Sequence, residues 1–357
     1  MTSAQALPRR VVLRRYPTGA LGPSDFEVES YESPALEDGQ FRVRNIYVSV
    51  EPMLRITIDP APLGGAFAPL PLGAVVPGPA VGEVVESRNP AFAVGQLVEG
   101  RFGWQDLAVS SGAGVIRVGP DVRPIVNALG AFGLPGFSAF VGLHRLGGLR
   151  PGQTVLISGA AGAVGSIAGA LVRARGGRAV GIAGGQAKRA YLLDTVGYEA
   201  VADRSAADFV DQLKHALPNG ADVYFDNVGG PLMATVAPLM ARGGRILICG
   251  LMAQYQHDES SVDHLPAVLE AVMSRGLTIE AFSNVGQDAL RPEFEREMAE
   301  LIRTGRLKPE VHVEEGLERL PAALCGLFEN SRTGKVVVRI APEPSSAGAP
   351  ARVEEKA

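Results

Sequence analysis

The chain contains very little of what builds disulfide frameworks and metal centres. Its 357 residues include two cysteines, Cys249 and Cys325, and five histidines, and residues 1–125 contain neither type. Two cysteines cannot form a disulfide framework or a cysteine-rich zinc site. A catalytic zinc ion needs a set of Cys and His ligands with one open position. We therefore expect no metal, and a reducing, cytoplasmic setting fits the composition.

Long apolar runs and blocks of one charge are also missing. The N-terminal segment, Met1 to Arg10, has no apolar run of signal-peptide length, and no stretch approaches the length of a membrane span. The net charge is −4 and no polybasic block occurs, which argues against a nucleic acid or a membrane as the main partner. With 46% apolar and 20% charged residues, the composition is typical of a soluble globular protein with two domains or one large domain.

One short stretch combines an apolar strand with three regularly spaced glycines. Thr154 to Ile157 is the apolar run, and the glycines follow at intervals of three residues from Gly159 to Gly165. Strand, glycine turn and helix open a nucleotide-binding βαβ unit, in which backbone N–H groups approach a pyrophosphate at the helix N-terminus. A glycine triplet alone also occurs in turns that bind nothing. Here a second apolar run, Ala179 to Ala183, follows at the expected distance, so we predict a dinucleotide site.

Acidic residues are absent where such a site would select its cofactor. An NAD site usually carries an Asp or Glu about 20 residues beyond the glycines, to hold the ribose 2′-hydroxyl, yet no acidic residue occurs from Val122 to Leu193. Lys188 lies just past the second strand, and Arg204 follows the next apolar run. Lys and Arg pair with a 2′-phosphate, which a carboxylate would repel. A solvated helix face is the alternative for most basic residues of this window. For Lys188 we favour the phosphate, and we predict NADP(H).

The spacing of apolar residues divides the chain into two parts. Residues 1–125 contain short, often alternating apolar runs separated by proline and glycine, which is typical of a small, irregular, mostly antiparallel β domain. In residues 126–309, strands alternate with helices, which indicates a doubly wound parallel sheet. Residues 310–340 return to β structure and are predicted to complete the first domain. The tail, residues 341–357, is rich in Pro, Ser, Ala and Glu and is expected to be disordered.

Helix predictions in the second part rest on the same spacing. Residues 207–216 form a predicted helix with four apolar residues on one face, namely Phe209, Val210, Leu213 and Ala216. Residues 231–240 form another predicted helix, followed by a strand over residues 245–250. Near the end of the chain, residues 320–330 are predicted as a helix.

Five stretches of the chain carry a family resemblance: residues 49–55, 133–139, 159–165, 224–230 and 248–255. They resemble the zinc-independent medium-chain dehydrogenase/reductases, and within them the branch of leukotriene B4 dehydrogenases, prostaglandin reductases, plant double-bond reductases and bacterial curcumin-reductase-like proteins. The resemblance covers about residues 8–340. It implies an α/β fold with a Rossmann domain beside an irregular, β-rich, GroES-like catalytic domain. It also implies NADPH-dependent reduction of a carbon–carbon double bond conjugated to a carbonyl group, without a metal.

The resemblance also implies roles for individual residues. Hydride addition to the β-carbon of an enone leaves an enolate, which needs a neutral hydrogen-bond donor at its oxygen and a proton at its α-carbon. Tyr255 is the candidate donor, and the alternative is that it only shapes the pocket or holds the ribose. Ser138 is expected near the nicotinamide. The residues expected at the cofactor are Ser138, Gly162, Ala163, Val164, Gly165, Lys188, Arg204, Asn227, Cys249, Gly250, Leu251, Tyr255, Phe282 and Arg332.

The chain departs from the family pattern at three positions. Met53 replaces a tyrosine that helps to line the substrate pocket, so Met53 and Tyr255 are the candidate substrate-binding residues and the usual substrate range is in doubt. Arg204 stands where a Tyr or His often touches the 2′-phosphate, which should keep or strengthen the NADP preference. Arg332 takes the place of an asparagine near the cofactor, and the sequence assigns it no particular function there.

Three interpretations of function follow from this pattern. The first is reduction of a small hydrophobic α,β-unsaturated ketone or aldehyde. The second is quinone reduction on the same scaffold, which the departure at Met53 keeps open. The third, of another class, is a non-catalytic NADPH-binding protein. Because most members of the group are homodimers joined through edge strands of their cofactor domains, the resemblance also implies a homodimer, with residues 277–282 as the candidate edge.

Overall fold

The computed structural model describes residues 6–59, 68–146, 149–255, 263–329 and 332–344. Contacts between residues divide the chain into two compact units. The first unit comprises Met1–Leu129, Val313–Phe328 and Val336–Ala357, and the second comprises Gly130–His312 and Glu329–Lys335. Residues 345–357 of the tail that we expect to be disordered lie outside the described residues, as does position 330, the predicted end of the last helix.

The described strands and helices follow one another along the chain as listed here. The strands are β1 (Arg9–Leu13), β2 (Phe26–Ser30), β3 (Phe41–Ser49), β4 (Ala80–Ser87), β5 (Leu97–Gly100), β6 (Leu107–Ser110), β7 (Ile116–Arg117), β8 (Thr154–Ile157), β9 (Arg178–Ala183), β10 (Ala200–Asp203), β11 (Ala221–Asp226), β12 (Met240–Ile248), β13 (Thr278–Ala281), β14 (Val311–Glu315) and β15 (Lys335–Arg339). The α-helices are α1 (Leu54–Thr57), α2 (Leu134–Arg145), α3 (Ala163–Ala174), α4 (Gln186–Ala190), α5 (Phe209–Ala216), α6 (Pro231–Val236), α7 (Leu265–Arg275), α8 (Arg291–Arg303) and α9 (Leu320–Phe328).

The first unit is built on a seven-stranded sheet with the order β14-β15-β3-β4-β5-β7, in which β6 also pairs with β3. The pairs of β3 with β4, β6 and β15 are antiparallel, and β1 and β2 form a separate antiparallel ribbon. Phe41 stacks on Phe92 with ring centroids 4.3 Å apart, and Trp104 is fully buried in the same core. The alternating apolar runs of the sequence therefore bury one side of this sheet.

The second unit contains a six-stranded parallel sheet with the order β10-β9-β8-β11-β12-β13. Alternate residues of its strands enter two different cores: in β8, Val155 and Ile157 pack with α2, α3 and α8, whereas Leu156 packs with α5 and α7 on the other face. A continuous apolar run is needed because both faces of the sheet are covered. The chain moves outward from β8 in both directions, so the order reverses between β8 and β11. The predicted α/β fold class is confirmed.

Two local predictions in this unit were wrong. Val210 is 42% exposed, whereas Leu213 is buried, because Val210 lies at the margin of the apolar stripe of α5 rather than within it. The helix predicted over residues 231–240 ends at Val236, and Met240 already begins β12. Pro238 explains this end, since proline lacks the N–H that would continue the helix. In the part of the chain that the structure describes, no helix is long and apolar enough to cross a membrane.

Candidate dinucleotide site

The glycine loop joins β8 to α3 in the second unit. Gly159 has a φ of +56°, and Gly162 precedes the first residue of α3. The first helical bond runs from Ser166 N to Gly162 O (3.0 Å), so the N–H groups of residues 163–165 have no intrahelical acceptor. A Cβ at Gly165 would lie 2.4 Å from Gly159 O, which leaves glycine as the residue that fits. Free N–H groups at a helix N-terminus suit a pyrophosphate.

A second segment of the chain passes beside this loop. Gly334 N donates to Ala161 O (2.8 Å), and Gly334 forms a parallel bridge with Gly162. Gly334 has a φ of +68°, and a Cβ there would lie 2.2 Å from Glu310 O. Arg332 is half-buried and stands two residues before Gly334. The structure thus brings the predicted residue Arg332 to the side of the unit that carries the glycine loop.

Tyr198 supports the glycine loop from beneath. Its hydroxyl donates to Gly165 O (2.7 Å), and its ring is 3% exposed. The ring lies between α3 and β9, where a Cβ at Gly169 would come within 2.3 Å of it and a Cβ at Gly181 within 3.1 Å. Burial raises the pKa of Tyr198 well above its usual range, so the hydroxyl stays a neutral donor. Tyr198 was not among the residues predicted from the sequence, although a glycine inside a helix indicates that another group packs closely against it.

Lys188, on the short helix α4 after β9, lies close to Arg204, which directly follows β10. Burial lowers the pKa of Lys188, and the neighbouring Arg204 guanidinium lowers it further. Among the described residues, neither cation forms an ion pair with a carboxylate. A Cβ at Gly184 would lie 3.3 Å from Arg204 Nε and 3.0 Å from Ser205 Oγ, so a hydroxyl that the sequence analysis missed belongs to the same group. Two unpaired cations beside a hydroxyl are suited to a phosphate.

Asp203, at the end of β10, holds the two loops that carry these cations. Its Oδ1 accepts hydrogen bonds from Gly185 N and Ser205 N, both at 2.9 Å. The bond from Gly185, followed by that from Ser205, lowers the pKa of Asp203, so the carboxylate is ionised at neutral pH. Its bonds to backbone N–H groups give it a positioning task, which differs from the ribose-binding task of the acid in an NAD site.

Asp226, at the end of β11, is a fully buried hub of hydrogen bonds. Its Oδ1 accepts from Ser158 Oγ (2.7 Å), Tyr224 OH (2.9 Å), and the backbone N–H groups of residues 228 and 229 (2.9 and 3.0 Å). Burial raises the pKa of Tyr224 well above its usual range, and the Asp226 charge adds to this shift. The hub therefore fixes the loop that follows β11.

The same hub positions three residues predicted at the cofactor. Asn227 donates from its backbone N to Ser158 Oγ (2.8 Å) and from Nδ2 to Ser158 O (2.7 Å). Cys249 N and Gly250 N both donate to the carbonyl oxygen of Asp226 (2.8 and 3.1 Å). Burial and the Asp226 carboxylate raise the pKa of the Cys249 thiol to about 12, so this thiol is neutral. Sequence reasoning assigned no role to Ser158 or Asp226, although each is a polar residue at the end of a buried strand.

Tyr255 follows β12 and offers a neutral hydroxyl. Its oxygen accepts a hydrogen bond from Leu251 N (3.3 Å). Burial raises the pKa of Tyr255, while the bond from Leu251 partly offsets this shift. In the described ranges the hydroxyl hydrogen of Tyr255 has no acceptor. The residue can therefore donate to a ligand at neutral pH.

The remaining predicted residues occupy two different units. Ser138 on α2 donates from Oγ to Leu134 O (2.8 Å). The ring of Phe282 packs edge-on against Phe225 with centroids 6.2 Å apart. Met53 belongs to the first unit, where it precedes α1 and is 42% exposed. Within the described residues, no group of three or more His, Cys, Asp and Glu side chains is placed to hold a metal ion.

The groups of the second unit follow one another along the carboxyl edge of its sheet. Lys188 lies on α4 after β9, and Arg204 follows β10. The glycine loop follows β8, Asn227 follows β11 and Tyr255 follows β12. Ligands of open α/β sheets bind outside the carboxyl ends of the strands, across the point where the strand order reverses. A dinucleotide on this edge with its 2′-phosphate at the cations and its pyrophosphate at the glycine loop would place its nicotinamide above β11, β12 and β13.

Comparisons with known proteins agree with this geometry. Residues 9–118 match a family model described as the N-terminal domain of oxidoreductase, and residues 163–303 match one described as zinc-binding dehydrogenase. The chain is 34% identical to the NADPH-dependent curcumin reductase of Escherichia coli, over 93% of this chain and 97% of that protein. It is 35% identical to prostaglandin reductase 1 of Bos taurus, over 91% and 95% of the two chains. The crystal structure of CurA from Vibrio vulnificus in complex with NADPH shares 32% identity, with a TM-score of 0.88 and coverage of 94% and 100%.

Proposed function

This chain belongs to the double-bond reductase branch of the medium-chain dehydrogenase/reductase family, and we propose that it reduces the C=C bond of α,β-unsaturated ketones and aldehydes with NADPH. The observation that carries the proposal is the order of groups along one sheet edge. That order runs from the two neighbouring cations, Lys188 and Arg204, through the glycine loop, to the neutral hydroxyl of Tyr255. Relatives named curcumin reductase and prostaglandin reductase support the same substrate class.

The residues of the site divide the chemistry between them. When bound, NADPH supplies a hydride, which forms a C–H bond at the β-carbon while the π electrons of the double bond move toward the carbonyl oxygen. The Tyr255 hydroxyl donates a hydrogen bond to that oxygen as its negative charge develops, and a neutral donor suits this task because it does not compete as an anion. The enolate then takes a proton from solvent at its α-carbon as the C=O bond re-forms, which gives the saturated carbonyl product.

The cofactor is NADP(H), and we propose that Lys188 and Arg204 select it over NAD(H). Their side chains are close enough for the charge of Arg204 to lower the pKa of Lys188, and a 2′-phosphate would relieve this repulsion. We also propose that the reaction uses no metal, because residues 1–125 supply neither Cys nor His as ligands. The low cysteine content supports a further proposal, a reducing, cytoplasmic setting.

The test of the proposal is the oxidation of NADPH at 340 nm by chelator-treated protein. A panel of enones, enals and quinones serves as substrates, with NADH in parallel, and the products are identified by mass spectrometry. We expect a saturated ketone or aldehyde and a strong preference for NADPH. A hydroquinone as the main product would instead identify a quinone reductase. Tight NADPH binding without turnover of any panel member would identify a non-catalytic binding protein.

The role of Tyr255 is tested by Tyr255→Phe, which keeps the ring and removes the hydroxyl. Removing one oxyanion donor typically lowers kcat by about 10²–10³-fold, and we expect a loss of this size with the Kd for NADPH unchanged. Because burial raises the pKa of Tyr255, activity that depends on its proton should persist through neutral pH and fall only as the pH rises through that raised pKa. A Phe variant with full kcat would show that the hydroxyl only shapes the pocket.

We further infer a homodimer joined through β13. This strand is an edge of the parallel sheet, and edge strands present unpaired N–H and C=O groups to another strand. Ile279 on β13 is 39% exposed and Met273 on α7 is 85% exposed. Size-exclusion chromatography with light scattering should give twice the mass of one chain, and Ile279→Lys should give a monomer. Val94→Lys, at a position that is 63% exposed in the first unit, is the control that should stay a dimer. A monomer of the unaltered chain would contradict this inference.

A further inference from the structure

Asn284 carries a buried amide oxygen that has no hydrogen-bond partner in the described part of the chain. Its amide nitrogen, Nδ2, donates to Ser138 Oγ at 2.8 Å. Asn284 belongs to the loop that follows β13, and Ser138 belongs to α2, so two elements of the second unit hold this side chain. Buried polar atoms of native proteins are rarely left without a partner, and an exception needs an explanation.

The orientation of the Asn284 amide follows from the bonding of Ser138. A serine hydroxyl has one hydrogen, and that of Ser138 is donated to Leu134 O (2.8 Å). Ser138 Oγ can therefore only accept from Asn284, which places the NH₂ group of the amide toward the serine. A reversed amide would set two acceptors, Asn284 Oδ1 and Ser138 Oγ, against each other. The unpartnered atom, Asn284 Oδ1, is thus an acceptor that can bind an N–H or O–H donor.

The location of Asn284 indicates which donor this is. Lys188 and Arg204 mark one end of the carboxyl edge, at β9 and β10, whereas Asn284 follows β13 at the opposite end. A dinucleotide with its 2′-phosphate at the cations would bring its nicotinamide ring to the end where Asn284 lies. The nicotinamide ring carries a carboxamide, and the NH₂ group of that carboxamide is its N–H donor.

We propose that Asn284 Oδ1 accepts a hydrogen bond from the carboxamide NH₂ of the nicotinamide, with Ser138 as the residue that orients the amide. This inference rests on the proposed NADPH-dependent function and adds to it a residue that recognises the reactive end of the cofactor. A fixed carboxamide prevents the ring from rotating about its bond to the ribose.

The test compares two cofactors that differ in the proposed contact. NADP⁺ carries the carboxamide, and its 3-acetylpyridine analogue has a methyl group in place of the NH₂ while keeping the carbonyl. The Kd of each is measured by calorimetry, which needs no turnover, for the unaltered protein, Asn284→Leu and Ser283→Ala. One neutral hydrogen bond corresponds to about a two- to tenfold difference in Kd. The unaltered protein and Ser283→Ala, an exposed neighbour in the same loop, should prefer NADP⁺ by this factor, whereas Asn284→Leu should bind both cofactors equally.

Ser138→Ala gives a second route to the same answer if Asn284→Leu does not fold. It removes the group that orients the amide, so it should also reduce the preference for NADP⁺ over the analogue. If the Asn284 or Ser138 variant keeps the full preference for NADP⁺ over the analogue, the proposed contact is overturned. Enone turnover with NADPH would in that case still support the proposed function. If the unaltered protein does not bind NADP⁺, both the proposed contact and the proposed function are overturned.

Discussion

Replacement of Gly169 with alanine tests whether α3 must lie directly against Tyr198. A Cβ at position 169 would lie 2.3 Å from Cε2, 2.4 Å from Cζ and 2.6 Å from the hydroxyl oxygen of Tyr198. The ring of Tyr198 has no room to move away, because Tyr198 is 3% exposed and its hydroxyl donates a hydrogen bond to Gly165 O. Gly181 of β9 also approaches the ring, where a Cβ would lie at 3.1 Å. The added methyl group must therefore displace α3, which begins at the glycine loop.

The expected loss of stability combines two opposing effects. Adding a methyl group to a well-packed core costs about 1–3 kcal/mol, and three contacts below 3 Å put Gly169→Ala at the upper end, about 3 kcal/mol. Alanine is better than glycine in a helix interior by about 1 kcal/mol. The net loss is about 2 kcal/mol, which lowers the Tm of a domain of this size by about 4–8 °C.

Thermal unfolding followed by circular dichroism measures this effect. Gly119→Ala is the matched control, because nothing lies within 4 Å of its Cβ position, and it should change stability by less than about 0.5 kcal/mol. In the double variant Gly169→Ala/Tyr198→Leu the clash is gone, so its loss should be smaller than the sum of the single losses by about 1 kcal/mol or more. A Gly169→Ala protein as stable as the control, or strict additivity in the double variant, would refute the argument.

Three further predictions concern charged and titrating groups. Lys188→Met should raise the KM for NADPH by about 10- to 100-fold, which corresponds to the loss of one charge-assisted hydrogen bond, and should leave the KM for NADH nearly unchanged. The control is Arg189→Met, because Arg189 lies near Asp203. An equal rise of the KM for both cofactors in Lys188→Met would contradict the phosphate contact. Because the pKa of the Cys249 thiol is about 12, iodoacetamide at pH 8 should alkylate this thiol about 10³-fold more slowly than a free cysteine with a pKa of about 8.5. An alkylation rate similar to that of free cysteine would show that burial does not raise the pKa of Cys249 in this way. Hydrogen bonds from Arg245, followed by those from Arg145, hold the pKa of Glu280 below its usual value, so its stabilisation is present above the unfolded pKa of about 4.3 and is lost as the pH falls through the lower folded pKa. Glu280→Gln should therefore cost about 1 kcal/mol at pH 7 and much less at pH 3, and equal costs at both pH values in thermal unfolding would exclude this ion pair as the cause.

The parallel sheet was predictable from the sequence because its signals are local. β8 and β9 are short apolar runs that are followed by glycines, and a stretch of small and apolar residues between them leads to Gly176 and Gly177. A strand that is covered on both faces reads as a nearly continuous apolar run, so such strands can be recognised without any knowledge of their partners. β2 (Phe26–Ser30) gives a weaker signal, because three of its five residues are exposed and a short alternating run is hard to distinguish from a loop.

The glycine loop and the two cations Lys188 and Arg204 could also be predicted from the sequence, because their signals are local too. The loop is a single stretch, and Lys188 and Arg204 each lie within a few residues of the end of a predicted strand. The close packing of Gly169 on Tyr198 could not be predicted, since 29 residues of chain separate them. The contact exists only because α3 and β9 are folded together.

The hydrogen-bonded hub shows why the rest of the site depends on the fold. Ser158 and Asp226 end two strands that are neighbours in the sheet but 68 residues apart in the chain, and neither residue alone indicates a function. Asn284 and Ser138 are separated by 146 residues, and the unpartnered oxygen becomes visible only when the single hydrogen of Ser138 is assigned to Leu134. In both cases an ordinary polar residue gains its role from a hydrogen-bond partner on another element. Sequence patterns therefore predict the phosphate-binding residues, because each of them lies shortly after a strand that the sequence also predicts. Recognition of the reactive ring has to be inferred from the buried polar atoms that the fold leaves unpaired.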